Sequence, residues 1–183
     1  MKHFYFFSKL SFLLFFTIIC GKAEAQLISA KTNAILWGNV TPNLSVELVT
    51  SKKTSLEITG FYSPDKTPLS TSLRGGQMEL RYWISGRPMS WLFTGISATA
   101  LQYDFSAGTS FRHAGDAVGP GILFGYALPI ATHWNIEFAT GMGLLWFREK
   151  KYDEKQYIEK QPYNNRGMKI MPTKLSVSFA YVF

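Results

Sequence analysis

Only one of the chain's 183 residues is a cysteine, Cys20, which excludes a disulfide-stapled scaffold and a Cys-rich zinc site. Histidine is nearly as scarce. Beyond the N-terminal segment only His113 and His133 occur, far apart, so no metal-ligand set is present. Gly119-Pro120-Gly121 is the nearest approach to a phosphate-binding loop, but it lies in a strand-like segment with no helix after it. From Gln26 onward there is neither an amphipathic helix nor a run of eighteen apolar residues. This excludes membrane-spanning helices and leaves membrane-spanning strands open.

What the chain has in excess is aromatic residues, 16% of the total. Its start reads as an export signal. Lys2, His3 and Lys9 precede an apolar run from Leu10 to Ile19, and Ala23-Glu24-Ala25 places small residues where a signal peptidase cuts. The expected division is a signal peptide over 1–25 and a mature domain over 26–183. The run is too short for a membrane anchor. A lipoprotein use of Cys20 is disfavoured by the bulky Ile19 before it. Cleavage would lower the net charge from +7 to +5 and leave a cysteine-free chain.

In the mature segment apolar residues recur at spacing two, as in Leu175, Val177, Phe179, Tyr181 and Phe183. The pattern predicts eight strands, near 27–38, 42–50, 54–62, 76–85, 91–103, 117–129, 133–147 and 171–183. Short turns at 50–54, 85–88 and 129–132 alternate with longer polar connections at 63–75, 104–116 and 148–170; only Gly38 to Thr41 is short on the long side. The fold class this implies is all-β, an eight-stranded antiparallel up-and-down transmembrane barrel.

A soluble barrel around a ligand cavity is the competing architecture. Charges inside the strands, opposite the large apolar residues, suit both. Aromatic placement favours the membrane form. Trp91, Phe93, Trp134, Tyr181 and Phe183 cluster toward the short-turn end, and Trp37, Tyr62, Tyr103 and Trp146 toward the other, as two interfacial belts. The lumen would then hold Lys31, Glu47, Glu57, Glu79, Arg81, Glu137 and Lys174, four acids against three bases that must pair. Alternation in strand five breaks, which suggests a bulge near Gly95, and Pro120 suggests another in strand six.

Several segments resemble one family: Lys31-Thr32-Asn33, Thr41-Pro42-Asn43-Leu44, Glu79-Leu80-Arg81-Tyr82-Trp83, Gly125-Tyr126, His133-Trp134-Asn135-Ile136-Glu137 with Gly141 and Gly143, and Pro172-Thr173-Lys174. They resemble the small outer-membrane barrel proteins of Bacteroidetes catalogued as domain of unknown function 3575. Met78 departs from that pattern, where a proline is expected at a strand start. The resemblance implies fold and an outer-membrane location, and no chemistry. Phe183, ending an alternating strand, also resembles the signal by which the barrel-assembly machinery recognises outer-membrane barrels.

For an enzyme the candidates are His113 with Ser110 and Asp116, and His133; neither offers a recognisable triad, and no catalytic role or cofactor is expected. The segment 148–170 carries seven basic against four acidic residues. Within it Arg148, Lys150, Lys151, Tyr152, Tyr157, Tyr163 and Arg166 form a candidate surface-binding loop. The expected partners are outer-membrane lipid and lipopolysaccharide, and a surface protein or glycan; nucleic acid is not expected for an exported barrel. The expected role is structural or surface interaction, with a narrow channel or a lipid A-modifying enzyme as alternatives.

Overall fold

A computed structural model describes residues 27–64, 67, 68, 71–106, 111–153 and 165–183. The expected signal peptide lies outside them. The strands are β1 (Ile28–Asn33), β2 (Asn43–Ser51), β3 (Thr54–Tyr62), β4 (Thr71–Trp83), β5 (Trp91–Ser106), β6 (Phe111–Pro129), β7 (Trp134–Asp153) and β8 (Asn165–Val182), with one short helix, α1 (Ala34–Gly38). Each strand pairs antiparallel with its neighbour, and β8 returns to β1, closing an eight-stranded barrel.

Inside and outside are inverted relative to a soluble protein. Val46, Ile58, Leu80, Ile96, Ile122, Phe124, Met142 and Phe179 are exposed on the outer face, while Ser45, Glu47, Glu57, Glu79, Arg81, Thr99 and Ser178 are buried within. Period-two alternation in a closed sheet enforces this sorting, because a slip of one residue would exchange the two sets.

The lumen is filled in three tiers. At the short-turn end Trp83, Met89, Phe93, Leu123, Ala127 and Ala139 form an apolar plug. Met89 is carried there by the β4–β5 turn, whose Met89 and Gly86 have positive φ, and Asn135 donates to the Met89 carbonyl at 2.7 Å. Charged side chains fill the middle. Tyr103, Ala117 and Leu145, with Phe105 and Phe147 against them, form the upper tier.

Several expectations are corrected. The first strand stops at Asn33, whose side chain accepts from the Ile35 N–H and caps α1; Trp37 therefore sits on a helix, exposed. Strands β4 to β8 run well past the apolar band into the segments 63–75, 104–116 and 148–170. Polar residues occur on both faces there, mixed with a few apolar ones such as Leu73, Phe105 and Ile170, so no clear alternation marks the strands, although the ladders continue. Met78 accordingly lies inside β4 and not at its start. No bulge occurs near Gly95 or Pro120: both ladders of β6 keep one register through Pro120. The phase of β5 is reset instead at Trp91, with φ 70°, so Trp91 and Leu92 both point outward and Phe93 points in. The register shifts fall at Thr50 in β2 and at Thr173 in β8.

Gly125 shows how tightly the lower plug is built. A Cβ there would lie 2.2 Å from Phe93 Cζ and 2.7 Å from the Phe138 carbonyl oxygen. Gly125→Ala is expected to destabilise the barrel by about 1–3 kcal/mol through overpacking. Urea unfolding of the refolded protein measures this, and an unchanged midpoint would contradict the Phe93 seat.

Candidate functional site

Six strands project charge into one buried centre: Lys31 from β1, Glu47 from β2, Glu57 from β3, Glu79 and Arg81 from β4, Glu137 from β7 and Lys174 from β8. The structure thus brings together all seven residues expected to share the lumen. The Lys31 ammonium contacts Glu47, Glu57 (2.9 Å) and Glu137 (2.5 Å). Arg81 reaches Glu47 at 3.2 Å, Glu57 at 2.8 Å, Glu79 at 2.7 Å and Glu137 at 3.1 Å. Lys174 bridges Glu57 (2.9 Å) and Glu79 (2.5 Å).

Removing so many charges from water costs several kcal/mol per ion, and only dense pairing offsets it. Arg81 makes its bonds with a planar fork, Nε and Nη2 both donating to Glu79. Its guanidinium carbon lies 4.6 Å above the Phe93 ring, which in turn packs against Trp83 in a tilted arrangement with centroids 4.8 Å apart. The Trp83 indole N–H donates to Ser55 at 2.8 Å, and Ser55 donates to Glu47. The ionic tier therefore rests directly on the aromatic plug.

Glu47, Glu57 and Glu137 lie close enough together to hold a metal ion. The Lys31 ammonium occupies that position and supplies the positive charge itself. Arg81, Glu47 and Glu79 are fully buried at this level.

The rim residues divide. Trp37, Tyr62, Trp91, Trp134, Trp146 and Phe183 are exposed, and Tyr181 packs edge-on against Trp134 (5.1 Å) and Phe183 (5.0 Å) on the outer face. Phe93 and Tyr103 do not belong to the rims. Phe93 is turned inward by the Trp91 backbone, and Tyr103, in the same phase, donates to Glu149 at 3.1 Å inside the upper tier.

The expected basic loop is corrected too: Arg148 and Lys150 lie in β7 and Arg166 in β8. Lys151 and Tyr152 are among the last residues of β7; Tyr157 and Tyr163 lie outside the described residues. His113 stacks on Phe105 at 5.2 Å and faces Glu149 at 3.5 Å within the lumen. Asp116 points to the opposite face and Ser110 lies outside the described residues, so no triad is assembled among described groups. His133 stacks on Tyr181 at 5.7 Å.

One feature was not expected. Arg74 pairs with Gln102, Gln102 with Asp116, Asp116 with Arg148 and Arg148 with Arg166. These five form one row across β4 to β8 on the outer face. The next row toward the turns is Gly76, Ala100, Val118, Trp146 and Met168. Its signal in the sequence is a charged or amide residue two positions past the last outward apolar one in β5 to β8; in β4 Arg74 follows Met78 by four positions, with Gly76 between.

Fold and site together define a closed antiparallel barrel with an ion-paired lumen and an apolar outer wall. The chain belongs to the family described as protein of unknown function (DUF3575), whose model matches residues 11–183. No curated protein and no solved structure matches it.

The ionic centre makes a sharp expectation. Lys31→Met leaves three buried carboxylates short of a partner and should cost about 3–5 kcal/mol in urea unfolding. Adding Glu137→Gln to that variant removes part of the excess negative charge, and more than half of the loss should return. A single variant as stable as the parent would show that Lys31 does not hold the centre.

Proposed function

We propose that the chain is an outer-membrane β-barrel, exported through a leader cleaved after Ala25, that acts as a structural or surface-interaction protein and not as a pore or an enzyme. The inverted polarity of the barrel carries this reading. An apolar wall running around the barrel exceeds by far the few hundred Å² that a soluble monomer exposes, and hydrocarbon is the solvent that suits it. On β7 the outward residues Ile136, Phe138, Thr140, Met142 and Leu144 run between Trp134 and Trp146. Twelve residues at ~3.3 Å each and a tilt of ~40° rise about 30 Å, a bilayer's hydrocarbon thickness. Trp residues at both ends suit the headgroup level.

The row from Arg74 to Arg166 lies just past that band at the end opposite the short turns. Three arginines and one aspartate there match the phosphates of lipopolysaccharide in charge. The filled lumen argues against conduction, and His113, held between Phe105 and Glu149, lacks a nucleophile among the described residues. Interaction with a surface protein or glycan would fall to the connections beyond the row, and Phe183 at the end of β8 suits recognition by the assembly machinery.

Refolded protein should insert into phospholipid vesicles, migrate differently on a gel before and after boiling, and give no conductance steps in planar bilayers. A soluble monomer without detergent would end the membrane reading. With lipopolysaccharide in the vesicles, Arg148→Gln and Arg166→Gln should each weaken attachment of lipopolysaccharide by about 1 kcal/mol, measured by titration calorimetry. Unchanged affinity would sink the assignment of the row.

A further inference from the structure

β1 has 6 residues, fewer than the roughly 9–11 a tilted strand needs to cross a bilayer, whereas its neighbour β8 has 18. Their ladder ends where Asn33 meets Ser178. The Asn33 side chain extends it one step, its amide donating to the Leu175 carbonyl at 3.1 Å and its oxygen accepting from the Val177 N–H at 3.2 Å. Further along, the edge of β8 that faces away from β7 lies against α1 in place of β1. The Thr173 bulge and Pro172, which has no N–H to leave unpaired, fall in this stretch.

A cavity of about 360 Å³ opens here, joining the lumen to the outer face; its size is that of a small-ligand pocket. Ser176 and Gln77 lie at its lumen floor, Phe61 and Leu101 on its walls, and Ile35 and Leu175 at its outer lip. Leu175 pairs with Thr140 and Pro172 with Met142, both between Trp134 and Trp146. The lip thus opens within the apolar band, so what enters comes from hydrocarbon.

Two observations narrow the occupant. Ser176 is 3% exposed, and its hydroxyl, like that of Thr173, meets no hydrogen-bond partner among the described residues, a costly omission unless a ligand supplies one. Lys174 directs two N–H groups to Glu57 and Glu79 and has a third to give. Beneath them, however, four carboxylates already face three cations, which disfavours another anion. An apolar chain with an uncharged hydrogen-bonding end satisfies all of these conditions.

We infer that the β1–β8 seam is a lateral portal and binding site for an uncharged single-chain lipid, its head at Ser176, Thr173 and Lys174 and its tail leaving between Ile35 and Leu175. The inference rests on the membrane reading above. It is tested on the refolded full barrel in phospholipid nanodiscs, with a monoacylglycerol carrying a photoreactive diazirine near its head and mass-spectrometric mapping of the labelled residues. Saturable labelling of cavity residues is expected, displaced by unlabelled monoolein about ten times more effectively than by oleate. Ser176→Ala should weaken displacement by monoolein about tenfold without lowering the barrel's own stability, because the hydroxyl it removes has no protein partner. Leu36→Trp, which fills the cavity, should abolish labelling.

Labelling confined to outward residues such as Phe138, insensitivity to both variants, or equal displacement by oleate would overturn the inference. A barrel that inserts but takes no label in the cavity defeats this inference alone; one that fails to insert defeats the membrane reading with it.

Discussion

The rest of the structure depends on the pairing of seven charges that have been removed from water. A carboxylate or ammonium buried singly would be prohibitive, so the strands that carry these residues must meet in one register or not close at all. The centre draws on β1, β2, β3, β4, β7 and β8, and Lys31 of the first strand contacts Glu137 of the seventh. Pairing thereby ties the two ends of the chain across the closure between β1 and β8. The two strands without a charge in the centre, β5 and β6, serve it by shape. β5 supplies the Phe93 face under Arg81, and β6 supplies Gly125, whose missing side chain is what admits the Phe93 ring. Ionic specificity in the middle tier and apolar packing below it are therefore one construction.

Polar filling of the lumen decides what the outer wall has to be. Once alternate residues are committed inward to ion pairs, hydroxyls and the two small apolar tiers, the remaining large apolar side chains point outward, and burial away from water inside the barrel is no longer available to them. In aqueous solution such a barrel would expose its driving force for folding. In hydrocarbon the same wall is solvated, every backbone group in the paired ladders is satisfied, and closure leaves no strand edge within those ladders. In the proposed membrane setting, the rows at the two ends would mark where this solvent changes: Trp134 and Tyr181 near the turns, and Trp146 followed by Arg148 at the far side.

Those parts of the fold governed by a two-sided contrast were legible in the sequence. Wherever one face is apolar and the other polar, alternation gives strand and phase together, and once the aromatic belts had decided between the two barrel forms, Glu47, Glu57, Glu79 and Glu137 could be assigned to one interior. Legibility fails where the contrast disappears. Beyond the apolar band β4 to β8 continue with polar residues on both faces, so Arg148 and Arg166 read as loop although they are paired strand residues. Local backbone geometry was equally hidden: the positive φ at Trp91 moves Phe93 from rim to core, and no composition or periodicity shows a single torsion. Tyr103 was misplaced for a related reason, since an aromatic near a strand end looks interfacial until its phase is known. The row from Arg74 to Arg166 could have been found by asking which charged or amide residue first follows the last outward apolar one in each strand.

The unequal strand lengths carry the final step. A closed barrel with a continuous wall needs neighbours of similar length, yet β1, β2 and β3 have 6, 9 and 9 residues while β5 to β8 have 16 to 20. The wall is therefore complete around β4 to β8 and low over β1 to β3. Were the low side merely the result of a shortened chain, β8 would have to leave its backbone edge bare in hydrocarbon, where unpaired groups are costly. What the chain does instead is specific. Asn33 substitutes its amide for a strand residue, Pro172 removes a donor, and α1 is laid along β8 with Ile35 exposed beside Leu175. In the proposed membrane setting, these three devices make an interrupted wall tolerable without leaving the edge of β8 bare.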